Sequence, residues 1–192
     1  MRSLHALLPL ILLSTGLGAE QMARIEASGQ GYRGNLSVNQ AAGDFNQQLN
    51  ARTLSVGPRA HSSADHRQLQ QQALQSQAVA SAHIGGSSFG SGNGVLGVNQ
   101  SAGQGNQSIN SITLQVGAGH RPQALDDFAL AQSAAQAQVN SGAVATSPSA
   151  VRSVHLDDRA FAGSKGVVQL NQSAGVGNQA INNVGIRVVS VP

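Results

Sequence analysis

The stretch VNQSAGQGNQSINSITLQV, residues 98–116, decides how this chain is read. It consists mostly of Asn, Gln, Ser and Gly, with aliphatic residues at its ends. Extended to 23 residues, it occurs three times without gaps: GNLSVNQAAGDFNQQLNARTLSV at 34–56, GVLGVNQSAGQGNQSINSITLQV at 94–116 and GVVQLNQSAGVGNQAINNVGIRV at 166–188. Nine columns are identical: Gly34/Gly94/Gly166, Asn39/Asn99/Asn171, Gln40/Gln100/Gln172, Ala42/Ala102/Ala174, Gly43/Gly103/Gly175, Asn46/Asn106/Asn178, Gln47/Gln107/Gln179, Asn50/Asn110/Asn182 and Val56/Val116/Val188. Chance does not produce that agreement, so the chain is a repeat protein before it is anything else.

Within a repeat the period is two. Leu96, Val98, Gln100 and Ala102 fall on one face, and Ile112, Leu114 and Val116 alternate in the same way. Alternation over this length predicts strands. Gly103 and Gly105 flank Gln104 and mark a turn, as do Gly175 and Gly177 in the third copy and Gly43 in the first. The parity slips between Ile109 and Ile112, which predicts a bend or bulge around Asn110 and Ser111. The unit is strand, turn, strand, with a third short arm left open.

One such unit cannot bury its own face. Three stacked in register can, with neighbouring strands about 4.8 Å apart and each column a ladder of identical side chains. An amide carries both a donor and an acceptor, so stacked Asn or Gln side chains satisfy one another, whereas stacked carboxylates would repel. The predicted ladders are Asn39/Asn99/Asn171, Gln40/Gln100/Gln172, Asn46/Asn106/Asn178, Gln47/Gln107/Gln179 and Asn50/Asn110/Asn182. The fold class expected is all-β: a cross-β, β-solenoid-like stack of three repeats. Its end rungs would expose unpaired backbone groups of the kind most proteins block, and no repeat here reads as a cap.

Around the repeats lie an N-terminal spacer at 20–33, linkers at 57–93 and 117–165, and a tail at 189–192. The linkers differ in length and do not align. Stretches such as 64–82 and 123–139 have helical propensity without an apolar stripe, so they read as disordered or partly helical. Residues 1–19 read as a secretory signal peptide, with Arg2 and His5 before the apolar run 7–13 and small residues after it. That run is too short to span a membrane.

Composition narrows the function. Aromatics are 3% and charged residues 10% of the chain, against about 25% charged in ordinary soluble domains. Removing Arg2 with the leader leaves ten basic against eight acidic residues, a net of +2 (10 − 8). These are scattered, so the high sequence pI of 10.6 signals no nucleic-acid surface. The absence of Cys excludes disulfides and thiolate metal sites.

The triple N-Q-[AS]-A-G-x-x-N-Q-x-x-N with long variable linkers and a signal peptide resembles the subunits of the Fap functional-amyloid system of biofilm-forming bacteria. The major subunit of that system is usually longer and carries a CxxC, so this chain looks most like the minor, nucleating subunit. The resemblance implies an extracellular fibril in the biofilm matrix. It also implies a related major subunit as partner, transit through the periplasm with a chaperone, and an outer-membrane export pore.

Sharper sites are weak by comparison. GQGYRG at 29–34 matches GxGxxG but is followed by a repeat rather than a helix, so it reads as a Gly-rich spacer. Asn-x-Ser occurs at Asn35, Asn99, Asn106 and Asn171, and three of these lie on repeat columns. His61 and His66 flank Asp65, and His155 lies near Asp157 and Asp158, all in linkers and read as solvated rather than metal ligands. No catalytic residue, cofactor or metal is expected. Two functions remain: an amyloid subunit that templates fibrils, and a monomeric secreted β-solenoid that presents its polar ladders as an adhesin.

Overall fold

The computed structural model describes residues 20–57, 68, 79–117 and 151–189. Residues 1–19, most of 64–82 and all of 123–139 lie outside them. The described residues form nine strands and no helix. Their order is β1 Gln21–Glu26, β2 Arg33–Ala42, β3 Gln47–Val56, β4 Val79–Gly85, β5 Asn93–Gln104, β6 Gln107–Val116, β7 Val151–Leu156, β8 Lys165–Val176 and β9 Gln179–Val188. Each successive trio makes one serpentine rung. The rungs stack into three parallel three-stranded sheets, β1-β4-β7, β2-β5-β8 and β3-β6-β9. This is the solenoid-like stack that the repeat predicts.

Stacking follows the repeat columns. Asn39 pairs with Asn99 and Asn99 with Asn171, and Asn50, Asn110 and Asn182 align in the same way. The β2-β5-β8 sheet is central. Its Leu96 and Val98 pack with Ile25, Ile84 and Phe89 against the β1-β4-β7 sheet. Ala102 meets Ala23, Ala80 and Ala82 on the same side. The intervening residue Asn99 points the other way, donating to the Leu49 carbonyl of the β3-β6-β9 sheet. Period-two alternation therefore feeds two different interfaces, one apolar and one amide-rich.

Two features depart from the sequence reading. Pairing of β6 with both neighbours runs one-to-one from Gln107 to Val116, so there is no bulge at Asn110 and Ser111. Ile109 and Ile112 simply lie on opposite faces, and both are buried because the middle rung is covered on both sides. The second departure is the place of the third arm, which lies outside the 23-residue unit in every rung. Strands β1, β4 and β7 fall in the segments read as spacer and linkers. Residues 79–82, at the end of a helix-prone stretch, are strand.

Candidate functional site

The amide columns form a connected network. Asn110 is fully buried. It donates to Asn50 Oδ1 at 3.0 Å, to Asn99 Oδ1 at 3.0 Å and to the Val98 carbonyl at 3.1 Å. Asn182 donates to its Oδ1 at 3.0 Å and Asn171 at 3.1 Å. Asn99 donates to Asn39 Oδ1 and Asn171 donates to Asn99 Oδ1. These two Asn columns thus face each other and weld the central sheet to the β3-β6-β9 sheet.

The Gln column does the same on the opposite face. Gln40 donates to the Arg24 carbonyl, Gln100 to the carbonyls of His83 and Ala23, and Gln172 to those of His155 and Ala82. Those acceptors belong to the first-arm sheet, so the Gln side chains hold β1, β4 and β7 in place. Asn46, Asn106 and Asn178 sit at the second arc, where Asn46 donates to the Gly43 carbonyl and Asn106 to that of Ala102. Gln107 donates to Gln47 Oε1 at 3.2 Å, while Gln179 is exposed.

Every amide-to-amide bond along a column runs in one direction. The NH2 of the later rung donates to the oxygen of the earlier one, from 99 to 39, 100 to 40, 106 to 46, 107 to 47 and 110 to 50. It does so again from 171 to 99, 172 to 100, 178 to 106 and 182 to 110. In the columns that begin at Asn39, Gln40, Asn46 and Asn50, backbone carbonyls fix this orientation, because they only accept and NH2 groups of the same columns donate to them. The columns consequently end with amide oxygens of Gln172, Asn178 and Asn182 at the third rung. At the first rung they end with the amide NH2 groups of Asn39, Gln40 and Asn50.

Both ends are also uncovered in other respects. Among the described residues no strand pairs with the outer edges of β1, β2, β3 or of β7, β8, β9. Among the described residues, the exposed large hydrophobics, including Met22, Phe45 and Leu54 on the first rung and Val151, Val154 and Val168 on the third, all lie on end rungs.

The turn glycines take positive φ: Gly43 at 97°, Gly103 at 112°, Gly175 at 127°, Gly105 at 64° and Gly177 at 67°. Gly103 and Gly175 lie near strand ends, whereas Gly105 and Gly177 form the arc. A Cβ on Gly103 would run into the carbonyl oxygen of Gly175, so this column also needs glycine for close approach.

The GxGxxG stretch spans the arc between β1 and β2, with Gly29 and Gly31 at positive φ. His155 stacks on His83 with ring centroids 4.8 Å apart. Asp157 is held by Arg159 at 3.2 Å, which depresses its carboxyl to about 2 through that side-chain hydrogen bond first. Among the described residues no three His, Cys, Asp or Glu converge as metal ligands, and no helix is long and apolar enough to cross a membrane. His61 and His66 lie outside the described residues.

Among the described residues, a short parallel solenoid whose ladders run unfinished to two unpaired edges has the architecture of a cross-β stack. The family profile of the Functional amyloid protein FapB/FapC family matches residues 13–189, and the chain belongs to that family. It is a family of self-assembling amyloid proteins and not of enzymes. No solved structure matches the chain.

Proposed function

We propose that the chain is a secreted amyloid subunit that nucleates fibrils of a related major subunit in the extracellular biofilm matrix. The observation that carries this reading is the common direction of the amide columns. The donors left at the first rung complement the acceptors left at the third. Rungs of incoming chains extend the columns head to tail, while donor-to-donor stacking of two first rungs is disfavoured. The three repeats act as a ready-made template, bypassing the costly first step of aligning separate chains. The absence of Cys from these 192 residues favours the minor-subunit role. Family membership and the signal-like residues 1–19 favour transit through the periplasm, with a chaperone, and an outer-membrane pore.

Trace seeds of the mature chain should shorten the assembly lag of the major subunit, followed by thioflavin fluorescence. An unchanged lag overturns the nucleating role. Replacing Asn99, Gln100, Asn106, Gln107 and Asn110 together by Ala should slow assembly, and unaltered kinetics would show that these amides do not form the core.

A further inference from the structure

Among the described residues, formal charge is confined to the end rungs. The described middle rung, residues 79–117, contains no Asp, Glu, Lys or Arg, and His83 is its one titratable side chain. The first rung carries Glu20, Arg24, Glu26, Arg33, Asp44 and Arg52, and the third Arg152, Asp157, Asp158, Arg159, Lys165 and Arg187. Inside the chain, each charged column therefore meets a neutral neighbour. Arg33 pairs in register with Asn93 and Asn93 with Lys165. Arg52 pairs with Ile112 and Ile112 with Val184.

Continuing the register one rung beyond β8 and β9 brings a second copy's first rung against this third rung. The amide columns continue, Asn39 onto Asn171 and Gln40 onto Gln172. Other columns do not match. Arg33 of the added copy falls on Lys165, both exposed. Like charges directly opposite on paired strands are destabilising. Arg52 is the interior counterpart. Its guanidinium reaches inward against Gly97 and Asn50. Its Nε and Nη2 are buried without a hydrogen-bond partner, and burial lowers its pKa. At an end rung water still reaches part of this side chain. Below a third rung it would be sealed over Val184, where a cation is costly. The acids are less troublesome: Glu26 would face Asp157, but each is already paired within its own rung, with Arg24 at 3.0 Å and Arg159 at 3.2 Å.

We infer that the open ends are matched to an uncharged rung with the same amide columns, the chemistry of this chain's own middle rung, and mismatched to each other. Arg33, Lys165 and Arg52 brake homopolymer growth and leave the ends free for a related chain with neutral end rungs. This rests on the stacking reading above.

The experiment compares the full mature chain with a neutral-edge variant, Arg33→Asn, Lys165→Asn and Arg52→Ile, which copies the middle rung into the outer columns. Elongation from sheared seeds is measured at about 20 mM and about 300 mM salt. The variant should elongate on its own seeds at least tenfold faster at low salt, and salt should accelerate the wild type far more than the variant. Wild-type monomer should add faster to variant seeds than to its own. The pair Arg33→Asn with Lys165→Asn, wholly on the surface, reports the same effect in smaller measure if Arg52→Ile perturbs folding. Equal rates with equal salt dependence overturn the brake while leaving stacking intact. Failure of both proteins to form fibres with a reflection near 4.8 Å overturns the stacking itself and the brake with it.

Discussion

Asn50 and Asn110 occupy the same column but different rungs, so replacing each by Ala separates folding from assembly. Asn110→Ala removes three donated and two accepted bonds from a site with no solvent. Most partners keep another contact, since Asn171 still donates to Asn99 and Asn182 to the Leu170 carbonyl. Asn50 Oδ1 is left stranded. One orphaned acceptor costs about 1–3 kcal/mol and the bonds of the two lost N–H groups about 1 each, so with the other partners still bonded the folded monomer should lose about 3–5 kcal/mol. Asn50→Ala removes bonds to Val38, Asn39 and Asn110 at a rung that water reaches, and should cost about 1–2 kcal/mol. In urea the Asn110→Ala midpoint should fall further by roughly 1–2 M. The order reverses for fibres in equilibrium with folded monomer. Asn110 has the same neighbours in both states, so residual monomer should barely change. Asn50 gains an Asn182 partner only on stacking, so Asn50→Ala should raise residual monomer about tenfold to a hundredfold. Equal unfolding costs would refute the buried network. An unchanged residual monomer for Asn50→Ala would show that the columns stop at the chain ends, as in a monomeric solenoid.

Gly103→Ala should cost at least about 3 kcal/mol, because its φ of 112° and the Gly175 carbonyl both exclude a side chain. Gly185→Ala has open space and serves as the control, and comparable urea midpoints would contradict the close approach of rungs. Phe45 holds φ at 59° where the next rungs use Gly105 and Gly177, and its ring is half exposed. Phe45→Gly should raise stability by about 1 kcal/mol by relieving the left-handed backbone, and a lowered midpoint would show that ring contacts outweigh strain.

The β2-β5-β8 and β3-β6-β9 sheets were legible in the sequence because their side chains must repeat. An Asn ladder works only with Asn above and below, so selection of partner leaves identical columns. The first-arm sheet was not legible, for the complementary reason. It offers the Gln column its backbone carbonyls, which every residue possesses, so Gln21, Ala80 and Arg152 share a register without sharing chemistry. Its offset also differs by one: Ile25 pairs with Ile84, 59 residues on, whereas Asn39 pairs with Asn99, 60 on. A gapless alignment slides past it. The usable signal was the pair of inward positions Ala23/Ala82/Val154, eleven or twelve residues ahead of Gly34, Gly94 and Gly166, and Ile25/Ile84/Leu156, nine or ten ahead. The bulge at Asn110 was misread because parity assumes one buried face, and the middle rung has two.

The two interfaces of the central sheet divide the labour of stability and register. Leu96, Val98, Phe89 and Ile84 supply the apolar burial, but aliphatic stripes tolerate a slip of two residues, which restores the same faces. The amide network does not. A slip of two would set Asn99 against Ala41 or Ser37 and Gln100 against Ala42 or Val38, leaving buried amides without partners on every rung at once. Each such group costs about 1–3 kcal/mol, so the penalty accumulates with the number of rungs while the apolar gain stays constant. The amides therefore act mainly against misregistered stacks. That explains why five amide columns are identical across the repeats, while aliphatic columns such as Leu36/Leu96/Val168 and Leu49/Ile109/Ile181 exchange Leu, Ile and Val.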